Sequence, residues 1–281
     1  MSTGAGPGDR DSVGDPGLTR DPVTAAALAR LYDLDLADDP GDLDLYLALA
    51  GRTGGPILEL GVGSGRLAVP LAAAGFPVTG VDLDPAMLAR AQAGGAARGL
   101  GRSGKGGRLD LVEADLVGLS LPSAGTFRLA FIAFNSLLLL ATRTAQREAL
   151  RTVVRHLAPG GLAVVDVWQP SADDLARYDG RITLEHARID PETRHLVTKA
   201  SSAQHDPSSQ VVTLTTIYEE GAQGAPSVRW LRTDRLRLVS ADELAGLAED
   251  AGLEVEQVAG DYELAAIGPG TDRAILLAVR P

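Results

Sequence analysis

The apolar positions Ile57, Leu58 and Leu60, interrupted only by Glu59, run into a stretch in which every second residue is glycine: Gly61, Gly63 and Gly65. A short apolar run closed by glycines predicts a buried strand followed by a tight backbone turn. The helix after that turn is expected to begin near Arg66 and to run through Leu67, Val69, Pro70 and Leu71, with Gly75-Phe76-Pro77 ending it. Residues 78–81 are apolar again and predict a second, parallel strand that carries Asp82 at its end. A strand-helix-strand unit of this length crosses over right-handedly, so Glu59 and Asp82 converge on one crevice.

Upstream, the pattern turns helical from Asp21-Pro22, with Leu28, Leu31 and Tyr32 on one face, and a second helix is expected over 43–50. Residues 1–19 are rich in Gly, Asp, Pro and Ser and are expected to be disordered. The glycine-dense stretch between Arg90 and Leu109, with Arg98, Arg102, Lys105 and Arg108, reads as a solvated loop in preference to a basic substrate-recruiting arm. Beyond Pro170 the texture changes. Residues 182–189, 194–204, 210–220 and 227–238 are rich in Thr, Val and Ile and separated by turn residues, which predicts an antiparallel meander. Ser240 to Glu243 has the spacing of a capping box opening a helix that Gly252 ends, and 253–258 and 274–279 supply two last strands. The expected organisation is an α/β doubly wound domain over 20–180 with a helical N-terminal cap, an antiparallel insertion over 181–239, and completion of the domain by 240–281.

The crevice chemistry depends on which glycine motif is present. A dinucleotide fingerprint wants its third glycine where this chain has Arg66. The pattern present, an acid two residues before three alternating glycines, would repel a pyrophosphate and attract an ammonium. A cofactor with a cationic amino-acid end, a ribose and an adenine fits better.

On these residues the chain resembles the class I S-adenosylmethionine-dependent methyltransferases. The resemblance covers roughly 25–170. The family's acid-and-glycine strand end is matched by Glu59, Gly61, Gly63 and Gly65, and its ribose-binding acid by Asp82, followed by Leu83 and Met87. Asp115 and Leu116 resemble the third strand end, where an acid meets the adenine amino group and the next residue lines its plane. Residues 130–134 with Asn135-Ser136-Leu137 resemble strand four and its turn, and 157–167 the approach to strand five and that strand. The resemblance implies a seven-stranded Rossmann-like sheet, S-adenosyl-L-methionine as cofactor, and Tyr32 and Arg66 near its methionine end. Two positions depart from the pattern: Arg128 stands where an aspartate often starts strand four, and 137–140 offer four leucines where small-molecule relatives often have a histidine.

Charge narrows the partners. With 26 Lys and Arg against 37 Asp and Glu, the formal net charge of -11 counts against a broad nucleic-acid surface and for a small or cationic substrate. The 281 residues contain no cysteine, which excludes disulfides, thiolate zinc sites and cysteine nucleophiles, and no metal site is expected. No run approaches the roughly 18 apolar residues of a membrane span, and the N-terminus lacks the apolar core of a signal peptide, so a cytoplasmic location is expected.

Methyl transfer from a sulfonium relies mainly on positioning and desolvation, so no catalytic motif is required, and none stands out. His186, His195 and His205 near the meander are base candidates, whereas His156 is expected to be structural. Asp166 could orient an amine; Trp168 is the leading substrate-wall residue, and Tyr218, Trp230 and Arg232, with Tyr178, could complete an aromatic wall. Arg237 resembles a recurrent family arginine of open role. The expected activity is methyl transfer to nitrogen or oxygen of a small molecule, with the insertion as lid or homodimer surface. Alternatives are RNA or protein methylation, or a cofactor-binding module without activity.

Overall fold

The computed structural model describes residues 21–38, 40–100, 107–222 and 224–281. The expected tail over 1–19, and Arg102 and Lys105 of the glycine-dense stretch, lie outside them. Helix α1 (Pro22–Asp35) starts where Asp21 accepts hydrogen bonds from the Val23 and Thr24 amides and proline occupies the first turn. After α2 (Leu43–Thr53) come β1 (Ile57–Leu60), α3 (Ala68–Ala73) and β2 (Val78–Asp82). Helix α3 therefore begins two residues beyond Arg66, because the turn out of the glycines occupies the intervening positions. Helix α4 (Pro85–Ala97), capped by Asp84, precedes β3 (Leu109–Glu113) and β4 (Phe127–Ile132). A short 3-10 helix (Ser136–Leu139), α5 (Arg143–His156), β5 (Leu157–Trp168) and α6 (Ala172–Arg177) follow.

The change of texture after Pro170 corresponds to four long strands, β6 (Asp179–Ile189), β7 (Leu196–Asp206), β8 (Val211–Gly221) and β9 (Val228–Arg237), which form their own antiparallel sheet in chain order. Helix α7 (Ala241–Ala251), β10 (Glu254–Ala259) and β11 (Arg273–Val279) return to the main sheet. Ser240 caps α7 by accepting from the Glu243 amide, but only half of the expected capping box forms, because the Glu243 carboxylate binds Arg237 instead. Gly252, left-handed at φ 101°, ends α7.

The main sheet has seven strands in the order β10-β11-β5-β4-β1-β2-β3. Strands β1 to β5 run parallel, while β11 is antiparallel to both β5 and β10. This is the doubly wound Rossmann-like architecture expected from the alternating pattern. Because β1 pairs with β2 on one side and β4 on the other, the chain reverses direction across the sheet at β1, and the crevice at the strand ends opens there.

Both faces of the sheet are covered. Leu58, Leu60, Ile132 and Val165 pack with Leu150 and Val153 of α5 and with Leu244 and Leu247 of α7. On the other face Ile57, Leu129, Phe131 and Val164 pack with Tyr46 and Leu49 of α2 and with Leu71 of α3. Each such leucine, fully buried, contributes about 1.5–3 kcal/mol. A third cluster joins Leu28, Leu31 and Leu34 of α1 to Val197, Tyr218 and Trp230 of the second sheet. Among the described residues nothing covers the opposite face of that sheet: Leu184, Ala200, Ile217 and Leu231 stand in one register row across its four strands, with Leu184 67% and Leu231 55% exposed.

Candidate functional site

The glycine turn packs tightly on one side and leaves room on the other. At Gly65, φ +82°, an added Cβ would lie 2.9 Å from both the Ala91 Cβ and the Val69 Cγ2, so glycine lets α4 approach the turn. At Gly63 nothing lies within 4 Å of that position, and its amide donates to Asp82 Oδ2 at 2.7 Å. Asp82 Oδ1 accepts from the Asp84 amide at 2.9 Å. Burial raises the Asp82 carboxyl above its usual range, and the amides of Asp84 and Gly63 oppose that rise. Leu83, beside it, is 38% exposed, while Met87 is buried on α4.

Glu59 is only 4% exposed, and its Oε2 has no hydrogen-bond partner. Burial pushes its carboxyl well above the usual carboxylate range; Arg66 opposes this and Asp42 reinforces it. Arg66 forks onto Asp42, fully buried, with Nη2 2.7 Å from Oδ2, and its guanidinium lies 5.1 Å from the Phe134 ring centre. Burial disfavours the Arg66 charge, but Asp42 outweighs it and holds the guanidinium above its ordinary value. Tyr32 on α1 feels Arg66, Arg232 and Glu59 together, and burial pushes its phenol up to about 12. Tyr32 thus stands between the glycine turn and the second sheet.

Beyond β4, Phe134 and Asn135 both adopt left-handed backbone, φ 47° and 71°. For phenylalanine this is a strained conformation that costs about 1–3 kcal/mol. The turn aims the Phe134 ring between Arg66 and Arg273, the latter 5.4 Å from its centre. Asp166, fully buried, anchors this group: Arg273 Nε donates to it at 2.7 Å, Tyr262 Oη at 3.1 Å and the Phe134 amide at 3.3 Å. A cavity of about 440 Å³ opens here, walled by Phe134, Tyr262, Arg273 and Asp35 among others. A larger one of about 740 Å³ runs between α1, α3 and α4 and is lined by Ser64, Gly65 and Arg66 of the turn itself.

The structure brings Tyr32, Glu59, Gly61, Gly63, Gly65, Arg66 and Asp82 together around the crevice. Asp115, exposed at the end of β3, accepts from the Val117 amide at 2.8 Å, with Leu116 half-buried beside it. Asn135 is at the crevice, but its side-chain oxygen is taken by the Trp168 amide at 2.6 Å, which joins the ends of β4 and β5. The expected substrate residues are dispersed. Asp166 has no exposed surface, so it acts on the cavity through Arg273 and Tyr262. Instead of one aromatic wall there are two separate pairs. Trp168 lies 5.9 Å from Tyr178 against the main core, and Trp230 stands across from Tyr218 in the α1 cluster with its Nε1 donating to Glu220. Arg232 binds Asp234 at 2.6 Å.

Among the histidines, His156 is buried between the Thr152 carbonyl and the Leu121 amide, with its ring pushed towards neutrality by burial. His186 faces Asp35 and His195 faces Glu220. Arg237 bridges Gln146 and Glu243, bracing β9 against α5 and α7. Asp35, Asp42, Phe134, Tyr262 and Arg273 escape the sequence pattern because each matters through a partner far away in the chain.

A seven-stranded sheet with this order, an acid-glycine turn after β1 and a carboxylate after β2 define a Rossmann-like methyltransferase. A protein-family model described as a methyltransferase domain matches residues 57–161. The cypemycin N-terminal methyltransferase of a Streptomyces species is 29% identical, the match covering 76% of this chain and 77% of that protein. The demethylmenaquinone methyltransferase of Thermus thermophilus is 37% identical over 46% of this chain and 52% of that protein, so the chain spans about half of it. The structure of the CcbJ methyltransferase from Streptomyces caelestis superimposes with a TM-score of 0.72 at 25% identity, covering 87% of this chain and 98% of that one. The sugar N-methyltransferase KedS8 from a Streptoalloteichus species shares the fold, with a TM-score of 0.69 at 21% identity over 100% of this chain and 98% of that one. Residues 57–161 thus carry a methyltransferase domain, and the chain is similar in sequence and fold to S-adenosylmethionine-dependent methyltransferases of the class I type.

Proposed function

We propose that this methyltransferase acts on a nitrogen or oxygen of a small-molecule acceptor, seated in the cavity beside Phe134 while the cofactor lies along the glycine turn. The observation that carries this is adjacency: Phe134 lines that 440 Å³ cavity and also touches Arg66, which extends from the end of the glycine turn. A cavity of that size suits a small molecule or the end of a peptide. The residues fit the cofactor. The unpartnered Oε2 of Glu59 suits an ammonium, the space over Gly63 suits a close-lying ligand, and the remaining acceptor capacity of Asp82 suits ribose hydroxyls. Arg66 and Tyr32 border the methionine end, and Leu83, Met87, Asp115 and Leu116 the adenine end.

When bound, the cofactor supplies an electrophilic methyl on a sulfonium that is a good leaving group. The chain's own residues then have to hold the acceptor in line and exclude water. Phe134 does so from the strand-four side, and Arg273 and Tyr262, fixed on Asp166, from the strand-five side. KedS8, a sugar N-methyltransferase by name, has this fold, and the cypemycin enzyme is an N-terminal methyltransferase by name; an amine acceptor suits the acidic cavity here.

The uncovered row Leu184, Ala200, Ile217 and Leu231 supports a homodimer in which the second sheets of two copies face each other. Among the described residues no helix is long and apolar enough to cross a membrane. Two measurements test the proposal. Asp82→Ala should weaken binding of the demethylated cofactor about 10- to 100-fold by calorimetry, the loss of charged hydrogen bonds of about 1.5–3 kcal/mol; unchanged affinity removes Asp82 from the site. Incubation with methyl-labelled cofactor and a panel of amines, phenols and sugars should label at least one of them, and tight cofactor binding with no transfer would favour a binding module.

A further inference from the structure

Asp35, the last residue of α1, joins that helix to the inner face of the second sheet. Its Oδ2 accepts from Tyr218 Oη at 2.6 Å and lies 2.8 Å from Lys199 Nζ; its Oδ1 is 3.0 Å from His186 Nε2. Lys199 also binds Glu185 at 3.0 Å. Among the described residues this leaves two carboxylates against one ammonium in a group whose members are mostly enclosed, Asp35 at 17%, His186 at 15% and Lys199 at 18% exposure. Other cations of the second sheet and the cavity wall are committed elsewhere, Arg188 to Asp38, Arg232 to Asp234 and Arg273 to Asp166. His186 meets Asp35 through its Nε2, and among the described residues its buried Nδ1 has no partner.

Asp35 is also a wall of the 440 Å³ cavity, together with Phe134, Tyr262 and Arg273. Its Oδ2 is used twice, whereas Oδ1 has one partner and retains a lone pair. Tyr32 stands one helical turn earlier on α1, beside Arg66 and Glu59 of the cofactor crevice. One helix therefore presents Tyr32 to the crevice and Asp35 to the cavity.

We infer that Asp35 is the acceptor-binding carboxylate, selecting a molecule with a primary or secondary amine that arrives as its ammonium and gives up a proton to water before its nitrogen attacks the methyl group, and that Lys199, Tyr218 and His186 hold Asp35 in place. The inference rests on the proposed use of this cavity for the acceptor. An ammonium at Oδ1 completes the charge of the cluster; a neutral alcohol leaves the surplus in place, and a carboxylate adds to it. The demand for an amine is thus written into the cluster before any substrate arrives.

The test uses the full chain saturated with S-adenosylhomocysteine, whose own binding is measured first, so failure of the cofactor site is recorded separately. Cyclohexylamine, protonated at neutral pH, and the isosteres cyclohexanol and cyclohexanecarboxylate are then titrated by ligand-observed NMR. The ammonium should bind about tenfold tighter than the alcohol, and Asp35→Asn should abolish that preference while leaving S-adenosylhomocysteine affinity unchanged. Asp261→Asn, on the same cavity wall, should change it by no more than about twofold, as expected for a screened charge. If Asp35→Asn does not fold, the wild-type comparison decides alone. An ammonium that binds no better than the alcohol, or not at all, overturns the inference, as does a preference that survives in a folded Asp35→Asn.

Discussion

On the proposed placement of the cofactor, Glu59 would couple its binding to protons. Folding encloses its carboxyl and raises it above the unfolded value of 4.5, so in the free protein it keeps its proton to higher pH than an exposed glutamate. Its contribution to stability is present below that unfolded value and lost as pH rises through the raised folded value. An ammonium brought beside it favours the charged form, so binding should expel a proton and affinity should rise with pH across the same window. Calorimetry with S-adenosylhomocysteine at roughly pH 6, between the usual carboxylate and ammonium ranges, in two buffers of different ionisation heat should show proton release that Glu59→Gln removes. Heats independent of buffer would remove Glu59 from the ammonium site. Glu59, the glycines and Asp82 were legible because they lie within one local pattern of strand, turn and strand. Asp42 was not, since its meaning lies in Arg66, 24 residues away, and nothing around Asp42 announces that pair. Asp42→Ala, which strips the half-buried Arg66 of its partner, should cost up to about 3–5 kcal/mol in chemical denaturation.

Among the elements, the parallel strands follow from apolar runs bounded by glycine and proline, and the meander from its Thr- and Val-rich segments between turn residues. What those patterns omit is attachment. The join between α1 and the second sheet is made by charges: Arg30 binds the buried Asp190 and Glu220, Arg90 binds Asp33 and Glu192, and Arg188 binds Asp38. No periodicity foretells which arginine meets which acid when the partners lie 57 or more residues apart. Removing Arg30 takes the shared guanidinium from two enclosed carboxylates, of which Glu220 keeps Thr193 and Trp230 as donors, so Arg30→Ala should destabilise the protein by up to about 3–5 kcal/mol. Hydrogen exchange should then quicken in α1, β7 and β8 more than in β1 and β4; uniform acceleration would show that these elements do not open as a unit.

For the whole molecule, the doubly wound seven-stranded sheet was expected from the family resemblance, but the side of the second sheet that faces away from α1 was not, because strand polarity alone does not say which face meets α1. The row from Leu184 to Leu231 becomes visible only once register is known. If it closes a dimer, Leu231→Glu should turn a dimer into a monomer by light scattering, with the cofactor affinity kept; a wild-type monomer at high concentration ends that proposal. The ion pairs of α1 also have a consequence for engineering. The stretch 21–38 and the stretch 179–237 are tied by ion pairs although the main sheet separates them in the chain, so moving the second sheet between relatives with its attachment intact requires two grafts. A chimera that transplants the second sheet alone would meet the wrong helix, and its failure would say nothing about the borrowed chemistry.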